Sequence, residues 1–166
     1  MSKNLVAYFS ASGVTKNVAE NLAGILDADI YEIKPAKPYT NADLNWMDNN
    51  SRSSVEMKNK TFRPEIVNED ANIEKYDTIF LGFPIWWYVA PTIINTFLES
   101  YDFSNKKIVL FATSGGSGLG GTVEYLKPSV SDTTEFVEGG MLNHNPSVDV
   151  LKTWVDNLGL LCISKK

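Results

Sequence analysis

Cysteine and histidine are nearly absent from this chain of 166 residues, which contains one of each, Cys162 and His144. A single cysteine cannot form a disulfide within the chain, and it fits a reducing compartment, so we expect a cytoplasmic protein. A single histidine excludes the zinc sites that are built from several histidines, and we expect no bound metal. No apolar run approaches the roughly 20 residues of a membrane-spanning helix, so we also expect no membrane span.

Lysine and arginine are few as well, with 15 residues against 20 of aspartate and glutamate, which gives a net charge of −5. A nucleic-acid-binding protein needs a basic face to displace counterions from phosphates, so we expect no nucleic-acid partner. The length is that of about one domain, and we expect residues 1–166 to form a single domain. Two features are abundant instead: aromatic residues reach 11% of the chain, and glycines cluster between Gly115 and Gly121.

Short apolar runs alternate with amphipathic stretches along the chain. The runs at 5–9, 79–83 and 108–112 are typical of strands that are buried on both faces of a parallel sheet. Shorter runs at 28–33 and 133–137 predict strands nearer the edges of that sheet. Between the runs, apolar residues at helical spacing predict helices that begin near residues 14, 91, 123 and 147.

This alternation predicts an α/β fold in which a doubly wound, five-stranded parallel sheet of strand order 2-1-3-4-5 lies between two layers of helices. The polar, weakly periodic residues 34–72 are interpreted as a crossover between the second and third strands, with a short helix somewhere within 40–58. In such a sheet, ligands bind beyond the carboxyl ends of the strands, at the switch point between strands 1 and 3. The loops after the strands are therefore the places to look for a site.

Hydroxyl side chains and a glycine follow the first strand, at Ser10, Ser12, Gly13 and Thr15. The backbone N–H groups and the dipole of a helix that begins here would form a cradle for an anion such as a phosphate. The sequence contains neither of the common nucleotide motifs, G-x-x-x-x-G-K-[ST] or G-x-G-x-x-G. An ordinary N-capped helix would account for Ser12 and Thr15 alone. The presence of Ser10 and Gly13 in the same loop favours the phosphate site.

Two further loops leave the same predicted edge of the sheet. Consecutive aromatic residues at 86–88 cannot all face one core, so at least one is expected to face the cleft and to stack on a flat ligand. The glycine cluster would let a ligand approach the backbone closely. The alternatives are core packing for each aromatic ring and a flexible connection for the glycines. Together the three loops predict a flat heteroaromatic ligand that carries a short phosphorylated arm.

The sequence resembles the flavodoxin-like FMN-binding family over nearly its whole length. The resemblance lies in YFSASGVT at 8–15, GFPIWW at 82–87 and TSGGSG at 113–118. It implies FMN as the cofactor, with the phosphate held by Ser10, Ser12, Gly13, Val14 and Thr15. The charge of Lys16 could neutralise part of the phosphate charge, or Lys16 could simply lie on the surface of the helix. It also implies that the isoalloxazine ring is flanked by Pro84, Ile85, Trp86, Trp87 and Tyr88 on one side and by Thr113, Ser114, Gly115, Gly116, Ser117 and Gly118 on the other.

The loops beside the expected ring differ from those of electron-carrying flavodoxins, which are usually acidic and contain glycine. Here the loop after the third strand is apolar and aromatic, and it resembles the NAD(P)H-dependent quinone and flavin reductases of the family. We therefore expect an oxidoreductase that takes hydride from NAD(P)H and reduces a small acceptor such as a quinone. The alternative is a flavodoxin that carries electrons between protein partners. A phospho-acceptor signalling module is not expected, because Phe9 and Phe83 stand where it would need acidic residues.

Overall fold

A computed structural model describes residues 4–10, 14–37, 40, 42–43, 47–58, 63–67, 71–85, 90–113, 122–142 and 146–157. Five parallel strands form one sheet, in the order β2-β1-β3-β4-β5. They are β1 (Asn4–Tyr8), β2 (Asp29–Glu32), β3 (Thr78–Pro84), β4 (Lys107–Thr113) and β5 (Glu135–Met141). The predicted fold and strand order are confirmed.

The three central strands, β1, β3 and β4, are buried along almost their whole length, as their apolar runs predict. The edge strand β2 begins with two exposed residues, Asp29 and Ile30. The other edge strand, β5, lies further along the chain than the predicted run at 133–137, because a turn occupies Ser131 to Thr134 and is closed by a hydrogen bond between their backbones (3.0 Å). Opposite Leu110 and Phe111 of β4 the register shifts, because the pairing passes from Glu138 to Gly140 and skips Gly139 of β5.

The α-helices within the described ranges connect or follow the strands: α1 (Val14–Leu26), α2 (Arg52–Lys58), α3 (Thr92–Ser100), α4 (Thr122–Leu126) and α5 (Val148–Asn157). Single turns of 3-10 helix lie at Ile73–Lys75 and Lys127–Ser129. In the part of the chain that the structure describes, no helix is both long and apolar enough to cross a membrane.

The helices form two layers, one on each face of the sheet. Helices α1 and α5 cover one face, where Leu22 and Leu151 are fully buried against the strands. Helices α3 and α4 cover the other face, where the ring of Phe97 lies 5.4 Å from that of Tyr101 and 5.7 Å from that of Phe103. This arrangement places the helices that follow β1 and β3 on opposite faces, which creates the predicted switch point between those two strands.

The crossover between β2 and β3 contains α2, which lies within the range predicted for a short helix. The two ends of the crossover are joined by an antiparallel bridge between Pro35 and Ile66. The side chain of Arg63 then pairs with Glu99 on α3, at 2.9 Å from Nε to Oε1. The crossover is therefore attached to the helix layer that contains α3. That the chain forms a single domain stays a prediction.

Candidate functional site

The carboxyl ends of β1, β3 and β4 meet at one edge of the sheet and remain paired up to the loops. The backbone N–H of Phe9, just after β1, donates to the carbonyl of Gly82 in β3 at 3.0 Å. The N–H of Ile85, just after β3, donates to the carbonyl of Thr113 at the end of β4, at 3.1 Å. Because each strand is fixed by its neighbour to its last residue, the three loops that the sequence singled out begin at fixed, adjacent points.

A direct side-chain contact joins the first of these loops to the third. Thr15, in the first turn of α1, and Thr113, the last residue of β4, have their Oγ1 atoms 2.7 Å apart. Thr15 is 2% exposed and Thr113 is 0% exposed, so solvent does not compete for this hydrogen bond. The structure thus brings together a residue predicted for the phosphate and a residue predicted for the ring.

The electrostatic surroundings of the α1 N-terminus are suited to an anion. The first turn of α1 contains no acidic residue, and Lys16 is exposed on it. Tyr8, at the end of β1, stays neutral, because burial, and then the charges of Glu32 and Glu20, raise its pKa to about 12. The partial positive charge of the helix end is therefore not opposed by a carboxylate in that turn. Ser10, half-buried just after β1, lies on the chain that leads to this turn.

On the side predicted for the ring, the described residues are Pro84, Ile85 and Thr113, and all three are buried. Val14 is described as the first residue of α1. Ten other predicted site residues lie outside the described residues: Ser12, Gly13, Trp86, Trp87, Tyr88, Ser114, Gly115, Gly116, Ser117 and Gly118. His144 lies outside them as well. Their part in a site stays a prediction.

A chain of polar contacts that the sequence did not predict joins the crossover to α3 and to the 3-10 turn after α4. Arg63 donates to both carboxylate oxygens of Glu99, at 2.9 and 3.0 Å. Ser129 donates to Glu99 at 2.8 Å and accepts from Asn95 Nδ2 at 2.9 Å. The hydrogen bond from Arg63, and then that from Ser129, hold the pKa of Glu99 below its usual value. One signal in the sequence was available, because a polar residue at 95 interrupts the apolar stripe of α3.

Some buried polar atoms in this region have no hydrogen-bond partner among the described residues. They are Thr92 Oγ1, Asn95 Oδ1 and Tyr125 OH. Burial raises the pKa of Tyr125, against the opposing effect of the Arg63 charge, so this phenol is also neutral. In the same described part of the chain, no cluster of three or more His, Cys, Asp or Glu residues could hold a metal ion.

The family of this chain follows from a comparison with known families. A family model described as flavodoxin matches residues 3–158. This match covers most of the chain, which therefore belongs to the flavodoxin family. The resemblance carried by the three sequence motifs is confirmed.

Solved structures agree with this assignment. A candidate flavoprotein from Bacteroides eggerthii DSM 20697 is 43% identical, with a TM-score of 0.86 over 96% of this chain and 99% of that one. One from Bacteroides uniformis ATCC 8492 is also 43% identical, with a TM-score of 0.82 over 93% and 98%. A flavoprotein from Lactobacillus acidophilus NCFM, solved in complex with FMN, shares the fold at 23% identity and a TM-score of 0.64 over 96% and 99%.

Similarity to characterised enzymes is confined to part of the chain. NAD(P)H dehydrogenase [quinone] 1 from Rattus norvegicus is 33% identical over an alignment that covers 40% of this chain and 30% of the enzyme. The chain thus spans less than a third of the length of the curated relatives it matches. The activity of those enzymes is therefore not established for this chain.

Proposed function

We propose that this protein binds FMN at the carboxyl edge of its sheet and acts as an oxidoreductase that takes hydride from NAD(P)H and reduces a small acceptor such as a quinone. The observation that carries the FMN part is the junction of the α1 N-terminus with the end of β4 through Thr15 and Thr113. It puts an anion-binding helix end and the start of the glycine-rich loop side by side. The flavodoxin family assignment supports the same cofactor.

The described residues fit the phosphate of FMN. A phosphate needs donors, and the site offers the N–H groups of the first turn of α1 and the hydroxyl of Thr15, with the exposed Lys16 nearby. Because Thr15 is almost fully buried, its contact with a phosphate would lie at the base of the cradle. Backbone and hydroxyl donors also suit a protein of net charge −5, which has few cations to spare for a phosphate.

The protein's part in the chemistry is to orient the cofactor and to set its surroundings, while bound FMN would supply hydride acceptance and donation at its N5 edge. Buried Pro84 and Ile85 would form the start of an apolar wall beside the ring. The proposal gives no described residue a role in catalytic proton transfer. Two-electron transfer between a nicotinamide and a quinone also needs no protein nucleophile. The partial similarity to a mammalian quinone dehydrogenase supports this choice of donor and acceptor.

The cofactor is tested by titrating the purified protein with FMN and following the quenching of flavin fluorescence. We expect Thr15→Val to weaken binding by a factor of about 10 or more, because a hydrogen bond to a charged group contributes about 1.5–3 kcal/mol. Thr96→Val is the matched control, because the Thr96 hydroxyl faces the carbonyl of Thr92 within α3 (3.5 Å). A wild-type protein that does not bind FMN would overturn the proposal.

The reaction is tested by mixing the FMN-loaded protein with NADPH or NADH in the absence of oxygen. Bleaching of the flavin absorbance near 450 nm without any other protein supports the enzyme, and addition of a quinone should restore the colour. The second candidate function is an electron-carrying flavodoxin, which the net charge of −5 favours because acidic surfaces can steer partner docking. If the protein binds FMN but neither nucleotide bleaches it, this second function replaces the first. A cytoplasmic location stays a prediction.

A further inference from the structure

We propose that Thr113 is a positioning residue for the phosphate: its hydroxyl donates to Thr15, and this directs the Thr15 hydroxyl proton toward the phosphate of FMN. The inference rests on the proposed binding of FMN. It assigns Thr113 a different task from the one implied by the family resemblance, in which Thr113 flanks the ring.

The geometry of the pair allows this task. The distance of 2.7 Å between the two Oγ1 atoms is the usual one for a hydrogen bond between hydroxyls. Each hydroxyl has one proton to donate and two lone pairs that accept. In the protein alone, either threonine can be the donor. Since both side chains are buried, no solvent molecule is needed to complete the pair.

A phosphate removes this ambiguity. Its oxygens accept hydrogen bonds, so Thr15 can contact the phosphate only by donating its single proton to it. Thr15 then has no proton left for Thr113, and the contact between them persists only if Thr113 is the donor. The Thr113 hydroxyl would also polarise the Thr15 hydroxyl and make it a better donor.

The backbone holds Thr113 in the place that this task requires. Thr113 is paired with Pro84 across the sheet, and its carbonyl accepts from the N–H of Ile85 at 3.1 Å. The end of β4 therefore cannot move away from β3 without breaking this hydrogen bond. A donor that is already held in place lowers the entropy lost when the phosphate binds, because the Thr113 side chain does not have to be ordered at that moment.

The first test compares FMN with riboflavin, which has the same ring and lacks the phosphate. Thr113→Val keeps the shape of the side chain and removes the hydroxyl, whereas Thr113→Ser keeps the hydroxyl. We expect Thr113→Val to weaken FMN binding about tenfold and to leave riboflavin binding unchanged, and Thr113→Ser to bind both flavins like the wild type. Thr78→Val is the matched control, because Thr78 is the first residue of β3 and lies at the end of the strand that is remote from the proposed site.

The second test asks whether Thr113 acts through Thr15. In a Thr15→Val background there is no hydroxyl left to orient, so adding Thr113→Val should weaken FMN binding no further. The double variant also leaves neither hydroxyl unpaired in the core. If the single Thr113→Val variant does not fold, the comparison of the double variant with Thr15→Val therefore still tests the role of Thr113.

The outcomes separate this inference from the proposed function. Equal losses for FMN and riboflavin in Thr113→Val, no loss of FMN affinity at all, or a further loss in the double variant would each overturn the role of Thr113 while FMN binding stands. A wild-type protein that binds neither flavin would overturn the proposed function, and this inference with it.

Discussion

Gly82, near the end of β3, occupies a position where even one added methyl group should destabilise the fold. A Cβ atom built on Gly82 would overlap the ring of Phe111 on the neighbouring strand. Phe111 is 0% exposed, and its ring contacts that of Trp154 edge-on at a centroid distance of 6.2 Å. Trp154 is held in turn by a hydrogen bond from its Nε1 to the carbonyl of Gly139, at 2.7 Å. The ring of Phe111 therefore has little freedom to move away.

Two opposing effects set the size of the change in Gly82→Ala. Alanine loses less backbone entropy than glycine on folding, which favours the variant by about 0.5–1 kcal/mol. An extra carbon in a well-packed core costs about 1–3 kcal/mol. Since the overlap is with a ring that its neighbours hold in place, the second effect should prevail. We expect a net loss of about 1–2 kcal/mol in the free energy of unfolding.

The assay is urea-induced unfolding followed by circular dichroism. A double-mutant cycle adds the substitution Phe111→Leu, because leucine lacks the ring atoms that the new Cβ would meet. Gly82→Ala should cost less in the Phe111→Leu background than in the wild type, with a coupling of about 1 kcal/mol. Gly24→Ala is the matched control: nothing lies within 4 Å of a Cβ there, and Gly24 lies in α1, so alanine should stabilise by about 1 kcal/mol. A Gly82→Ala protein as stable as the wild type, or strictly additive losses, would refute this reasoning.

Two pH dependences follow from the titratable groups. Burial, and then the hydrogen bond to Asp29 (2.7 Å), raise the pKa of Tyr76 to about 12. The contribution of Tyr76 to stability is therefore complete below the unfolded pKa of 10.0, and it is lost as the pH rises through 12. Urea unfolding should show a smaller alkaline loss in Tyr76→Phe than in the wild type. The hydrogen bond from Arg63 lowers the pKa of Glu99, so its contribution is present above pH 4.5 and is lost as the pH falls below that value. Glu99→Gln should flatten this acid limb by less than about 1 kcal/mol, since the pair is partly exposed, and an unchanged acid limb would contradict the assignment.

The fold could be predicted from the sequence because the apolar composition of each strand reflects how deeply that strand is buried. A central parallel strand meets helices on both faces, so β3 and β4 are continuous apolar runs, and their identity did not depend on distant contacts. The limits of β5 could not be predicted in this way. They depend on the register shift opposite Leu110 and on the turn at Ser131, and both are set by neighbours in space.

The candidate site was predictable as a set of loops but not as a set of contacts. The order of the strands determines which loops share an edge, so the sequence could assign Thr15 and Thr113 to the same region. Their hydrogen bond spans 98 positions along the chain, and no local pattern signals it. The same holds for the contact of Arg63 with Glu99, which are 36 positions apart and belong to the crossover and to α3.

The edge strand β2 has a consequence for how copies of this protein meet. An exposed edge of a sheet can pair with the edge of another copy and begin aggregation. In β2 that edge is four residues long, it begins with Asp29 and ends with Glu32, and it presents the half-exposed Ile30 between them. Two copies aligned along this edge would bring like charges together, so we expect the two carboxylates to disfavour the pairing of sheets from different molecules.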